Sequence, residues 1–125
     1  MILNIKANPK EWKKECWIAR KINITYDDEG NEIPIYSNPK KFEFNYQPIS
    51  SDSDLMEFGE KANMIQKAVI PMKYKDYFKE FDVAYLDGVT PDGEKKCGEK
   101  ANYELYPPRN QNSIIHIYFE KLAGK

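Results

Sequence analysis

The stretch Gln47-Pro-Ile-Ser-Ser-Asp-Ser-Asp-Leu-Met-Glu-Phe-Gly59 constrains this chain more than any other. Before it, Phe42, Phe44 and Tyr46 alternate with Glu43, Asn45 and Gln47, the two-residue period of a strand with one buried face. Pro48 stops that strand, because it fixes φ and has no N–H for a sheet ladder. Ser50, Ser51, Asp52 and Ser53 then supply side-chain oxygens that can cap the orphan amides of a helix start. Leu55 and Phe58 fall three apart on one helical face, and Gly59 suits the positive φ at which helices end. The expectation is a short helix near 51–58 set into an antiparallel β-unit.

Further β-signals surround it. From Cys16 the even positions carry Cys16, Ile18, Ile22, Ile24 and Tyr26, one half-buried strand interrupted at Arg20. Asp27-Asp28-Glu29-Gly30-Asn31 reads as a hairpin turn, and Pro34 places the return strand at an edge or a bulge. Later strands are expected at Lys67–Met72, at Phe81–Tyr85 with Phe81, Val83 and Tyr85 on one face, at Ala101–Tyr106, and at Ser113–Phe119. Tyr74, Tyr77, Phe78 and Phe81 suggest a brief helical or 3-10 connection. Asn8-Pro9-Lys-Glu11-Trp12 looks like a helix start, giving an N-terminal helical segment over 1–15. The fold expected is mainly β, a small antiparallel barrel or sandwich with one to three short helices. At 125 residues it is expected as a single domain, with the β-core over 16–122.

A net charge of −1 argues against a dedicated nucleic-acid binder, which needs a basic face. The opening residues do not read as a signal peptide, no apolar run is long enough for a membrane span, and intracellular synthesis is expected. Cys16 and Cys97 lie far apart without metal-type spacing, and are expected as reduced thiols, the first buried and the second on a loop.

Chemistry is sparse. His116 is the only histidine, and its strand face also carries Tyr118 and Glu120, so it reads as solvated or interfacial. The serines at 50–53 are explained by capping and have no nucleophile-elbow glycines. Glu94-Lys95-Lys96, with Asp82 or Asp87 upstream, has the residue types of a metal-dependent nuclease, but lies in the Gly- and Lys-rich tract 87–100 that reads as a flexible charged loop. Neither Asp27–Gly30 nor Asp87–Gly93 has EF-hand ligand spacing. Trp12, Trp17 and the tyrosines could stack sugars, the basis of an alternative glycan- or small-ligand-binding barrel. No enzyme activity, cofactor or metal is expected.

The order of elements is familiar. "Ile-Thr-Tyr-Asp-Asp-Glu-Gly-Asn" precedes "Phe-Glu-Phe-Asn-Tyr-Gln-Pro-Ile-Ser-Ser" and a helix ending "Glu-Phe-Gly"; "Lys-Ala-Val-Ile-Pro", "Glu-Phe-Asp-Val-Ala-Tyr-Leu-Asp-Gly", "Ala-Asn-Tyr-Glu-Leu" and "Ile-Ile-His-Ile-Tyr-Phe-Glu" follow. Over roughly residues 16–122 this resembles the head–tail joining (head-closure or stopper) family of tailed bacteriophages. The resemblance implies a β-barrel that forms a ring beneath portal and adaptor, helps retain the genome and docks the tail. It also implies a location in the host cytoplasm during assembly and then in the virion, with DNA passing non-specifically through the channel. A tail terminator or minor tail component is the neighbouring alternative. Expected contacts are the hairpin tip (Asp27, Asp28, Glu29, Asn31), whose acidic charge would repel phosphate, the helix (Asp54, Met56, Phe58) and the 87–100 loop.

Overall fold

The computed structural model describes residues 2–4 and 14–124. Among them the chain is mainly β, as the alternating runs require. In chain order the elements are β1 (Ile2–Asn4), β2 (Lys14–Ala19), β3 (Lys21–Tyr26), β4 (Glu32–Tyr36), β5 (Lys40–Phe44), β6 (Gln47–Pro48), α1 (Asp52–Phe58), β7 (Ile65–Pro71), β8 (Val83–Tyr85), β9 (Tyr103–Leu105), β10 (Arg109–Gln111) and β11 (Ile114–Lys121). Short 3-10 turns cover Gly59–Met64 and Met72–Tyr77.

Among the described residues, nine strands form one curled sheet in the order β1-β5-β2-β8-β9-β11-β7-β6, with β10 pairing the start of β11 off that path. Every pair in it is antiparallel except β1 on β5. The end strands β1 and β6 do not meet, so the sheet is a half-barrel and not a closed one.

Alternation fills the core. Phe42 and Phe44 of β5 meet Ile115, Ile117 and Phe119 of β11, Ile70 of β7 and Phe78. The Phe44 and Phe119 rings stack at 6.3 Å, and Phe42 lies 5.1 Å from Phe78. β8 is buried on both faces, sending Ala84 with Leu86 into this core and Val83 with Tyr85 into a second cluster beside Ala19 and Ala101. A third cluster, Ile49, Ile65 and Tyr118, lies under α1.

Several expectations are corrected. Of the helical segment expected over 1–15, the described parts Ile2–Asn4 and Lys14–Glu15 are strand; the helix start at Asn8–Trp12 falls outside the described residues. The single strand expected from Cys16 to Tyr26 is two, because Arg20 leaves the ladder. Arg20 N donates to Ser37 Oγ at 2.9 Å and Ser37 N donates to Arg20 O at 2.7 Å, and beyond this clasp β3 and β4 pair only with each other. Ile22 and Tyr26, expected half-buried, are 60% and 63% exposed. Phe81 is not in the strand that follows it. Asp82 Oδ2 accepts Lys79 N at 2.9 Å and Asp82 N donates to Lys79 O at 3.2 Å, closing a turn that holds Phe81 at φ 72 and directs it outward. In α1 the inward residues are Asp54 and Phe58, one turn apart, while Leu55 is exposed.

Candidate functional site

Three surface features are built with care, and the arm formed by β3 and β4 is the first. Its base is fixed at several points. Besides the Arg20–Ser37 clasp, the Arg20 guanidinium donates to Asp76 O at 2.9 Å and its Nε lies 3.5 Å from Asp82 Oδ1. Tyr36, at the end of β4, packs on the second cluster and against Gly98, where a Cβ would overlap the Tyr36 ring. Cys97 Sγ lies 3.2 Å from Asn38 Oδ1. Asp82 is 1% exposed, and burial pushes its carboxyl up, with the Lys79 amide and Arg20 only partly offsetting it.

The far end of the arm is uncovered. Residues 25–32 are all exposed. The turn holds itself: Asp27 Oδ1 accepts Glu29 N at 2.9 Å and Asn31 N at 2.8 Å, and Asn31 Nδ2 donates to Asp27 Oδ2 at 3.1 Å. These bonds from Asn31 hold the Asp27 carboxyl below its ordinary range. Asp27 and Asn31, both expected as contact residues, thus shape the turn, Glu29 Oε2 accepts Asn31 Nδ2 at 3.5 Å, and Asp28 is left to project. At the arm's base a cleft of about 330 Å³ opens among Arg20, Ile22, Lys40, Phe42, Tyr77 and Asp82.

The second feature is α1. Ser51 caps it, its Oγ accepting Asp54 N at 3.2 Å, and Gly59 ends it at φ 53. Asp54 and Phe58, expected to make contacts outward, instead fasten the helix to the sheet. Asp54, only 5% exposed, accepts Tyr118 Oη at 2.7 Å and Lys67 Nζ at 2.9 Å. Burial pushes the Asp54 carboxyl up, but the bonds from Lys67, Tyr118 and Ser51 together outweigh it and hold the group below its usual range. Phe58 lies 5.3 Å from the Tyr118 ring and 5.4 Å from Tyr106. Arg109 pairs with Glu57 and sits 4.6 Å over Tyr118. His116, read from sequence as solvated or interfacial, lines the hollow beside these pairs, with Nε2 shut off from solvent and without a hydrogen bond among the described residues. Burial, then Lys67, holds its imidazole below its usual value. Of the three helix residues expected as contacts only Met56, 84% exposed, is presented.

The third feature is the tract 87–100, expected as a flexible loop. It is fastened from within. Tyr85 Oη donates to the Glu94 carboxylate at 2.9 Å and accepts Gly98 N at 2.8 Å, and Lys100 N donates to Glu94 Oε2 at 3.1 Å. At its start, Asp87 accepts Tyr103 Oη at 3.0 Å and its N–H donates to Tyr46 Oη at 2.7 Å. Burial, then Asp87, pushes the Tyr103 hydroxyl up to about 12. Glu94 is therefore committed inward while Lys96 is exposed, so the E-x-K triplet does not converge. Among the described residues no group of three His, Cys, Asp or Glu side chains is placed to hold a metal ion. Both cysteines are free, Cys16 buried as expected and Cys97 in the loop. Trp17 packs on the second cluster under Lys41, and Trp12 lies outside the described residues.

The chain matches no family model, no curated protein and no solved structure.

Sequence reasoning missed the arm as a separate body. The signal was Arg20, the one residue that breaks the even-numbered apolar period, followed after Ile35 and Tyr36 by the hydroxyl of Ser37.

Proposed function

We propose that this chain is a structural subunit of a tailed bacteriophage or prophage virion, of the head-closure type. It acts by joining copies of itself into a ring between the portal–adaptor complex and the tail, and surfaces, not catalysis, carry its work. Under this reading it needs no cofactor, assembles in the host cytoplasm and ends in the virion. Packaged DNA meets it only non-specifically.

The observation that carries the reading is the β3–β4 arm, fixed at its base and bare beyond it. A lone two-stranded ribbon is marginal in water. This one carries Tyr26 more than half exposed and Ile35 exposed as well, with Ile22 more than half exposed at its base. Apolar side chains left uncovered on an arm fixed at its base are the composition of a protein–protein contact. Met56, on the helix, is a second presented apolar residue.

The purified chain should form closed rings with an open centre as its concentration is raised, seen by native mass spectrometry and negative-stain electron microscopy. It should then bind DNA-filled, tailless heads and slow the loss of their DNA. Binding to tail tubes and not to heads would move the assignment to a tail terminator. A chain that stays monomeric to millimolar concentration and binds neither heads nor tails would overturn the proposal.

A further inference from the structure

We infer that the acidic tip of the arm docks into the cleft at the arm base of a second copy of this chain. This rests on the ring-forming reading above and specifies the contact that builds the ring.

The acidic tip and the lysines at the edge of the cleft and on the turn beside it are opposite in charge. The tip carries Asp27, Asp28, Glu29 and Glu32 with no cation from residue 27 to residue 36. Beside these carboxylates stands Tyr26, an exposed aromatic without a hydrogen bond among the described residues. The cleft itself has a mixed charged lining, Arg20 and Lys40 with Asp76 and Asp82. Its floor is apolar, with Phe42, Ile22 and Tyr77, and its edge carries Lys40 with Nζ 4.7 Å over the Tyr77 ring. Lys73, Lys75 and Lys79 follow on the adjoining 3-10 turn and the loop after it. None of these four lysines is in an ion pair among the described residues, and only Asp76 and Glu80 interrupt them. Asp82 is already taken by Arg20. An aromatic anchor flanked by carboxylates thus has a matching receptor, an aromatic floor beneath a cationic rim.

One chain cannot satisfy both halves itself. Ile22 lines the cleft, and Tyr26, four residues further along β3 at about 3.4 Å each, lies about 14 Å from it along the strand. The clasp at Arg20 and Ser37 and the Tyr36–Gly98 packing fix the arm's base, and residues 25–32 are exposed, so the tip does not lie in its own cleft. Tip and cleft must therefore meet between copies. Two different patches meeting head to tail generate a ring when the rotation closes. Docking covers the tip, so it replaces the phosphate repulsion expected from the charge of these carboxylates.

The test is a disulfide trap. One protein carries Glu29→Cys, a second carries Lys40→Cys, a third carries both, each with Cys97→Ser so that the buried Cys16 is the only other thiol. Mixing the first two under oxidation should give the cross-linked heterodimer, and the third should give a ladder ending at one closed size. Oligomers that form without this cross-link would overturn the contact and leave the ring reading standing. Cross-linking that stops at a reciprocal dimer would keep the contact and sink the ring. No cross-link and no oligomer would sink both. In parallel, Asp28→Lys with Glu29→Lys should weaken self-association at least 10-fold at low salt, and mixing with Lys40→Glu plus Lys75→Glu should restore it. Failure of that restoration counts against the contact.

Discussion

Asp54 gives the sharpest test of how the helix is held. Replacing it with Ala removes the acceptor for Tyr118 Oη at 2.7 Å and for Lys67 Nζ at 2.9 Å. Tyr118 is buried, so its hydroxyl is left without a partner, which costs about 2 kcal/mol. The Lys67 side chain is 22% exposed and regains part of its hydration, so its share is discounted to about 1 kcal/mol. The sum is about 3 kcal/mol, which a urea slope of about 2 kcal/mol per molar turns into a midpoint shift of about 1.5 M. Asp54→Asn keeps an acceptor for Tyr118 and should lose about half as much. The folded carboxyl titrates below its unfolded value, so its contribution is fully present above the ordinary carboxylate range, about pH 4, and is lost as pH falls through the folded value. The wild-type advantage over Asp54→Asn should therefore shrink on acidification. An Asp54→Ala variant within about 0.5 kcal/mol of wild type, or a gap independent of pH down to 3, would refute the clamp.

Other perturbations separate scaffold from surface. Gly98→Ala should destabilise by about 2 kcal/mol, since φ is +87° and the new Cβ meets Tyr36; a double-mutant cycle with Tyr36→Ala should show coupling, and additivity would contradict the packing. Tyr85→Phe should leave Gly98 N and Glu94 without their shared partner, so cleavage at Lys95 and Lys96 by a lysine-specific protease should speed up several-fold while the main unfolding transition moves by little more than about 1 kcal/mol. Ile22→Ser with Tyr26→Ser should change monomer stability by no more than about 0.5 kcal/mol yet abolish concentration-dependent assembly; a large loss of monomer stability would mean that the arm is covered within its own chain.

Period and punctuation made most of the sheet legible. Phe42 and Phe44, and then Ile115, Ile117 and Phe119, fall inside as their alternation requires, and Ser51 and Gly59 bound the helix as their chemistry requires. The misreadings share a cause: apolar periodicity reports that a face is apolar, not what covers it. Ile22 and Tyr26 continue the period of Cys16 and Ile18, but only tertiary structure shows that the sheet ends between them at Arg20. Asp54 went unread as an anchor because its partners, Lys67 and Tyr118, lie 13 and 64 residues away. The 87–100 tract looked loose by composition. Its order comes from a tyrosine on β8 and an inward glutamate, pairs that no local pattern encodes.

Pairs of this kind recur among the nine tyrosines of the chain. Tyr118 meets Asp54, Tyr85 meets Glu94, Tyr103 meets Asp87 and Tyr106 meets Glu120, each hydroxyl giving a carboxylate a donor and tying a helix, a loop or a strand end to the sheet. Tyr46 holds the Asp87 amide, Tyr36 seats Gly98, and Tyr74 and Tyr77 lie 6.2 Å apart beside the cleft. Tyr26 stands outside this scheme. It has carboxylates next to it in sequence, at Asp27 and Asp28, yet Asp27 is spent on the turn and the Tyr26 ring faces water. A chain that uses most of its other tyrosines to fasten surfaces together has the same chemistry, an aromatic ring beside acids, at the end of the β3–β4 arm. In the proposed contact, an aromatic floor and lysines that have no ion pair among the described residues complete that chemistry on a second copy.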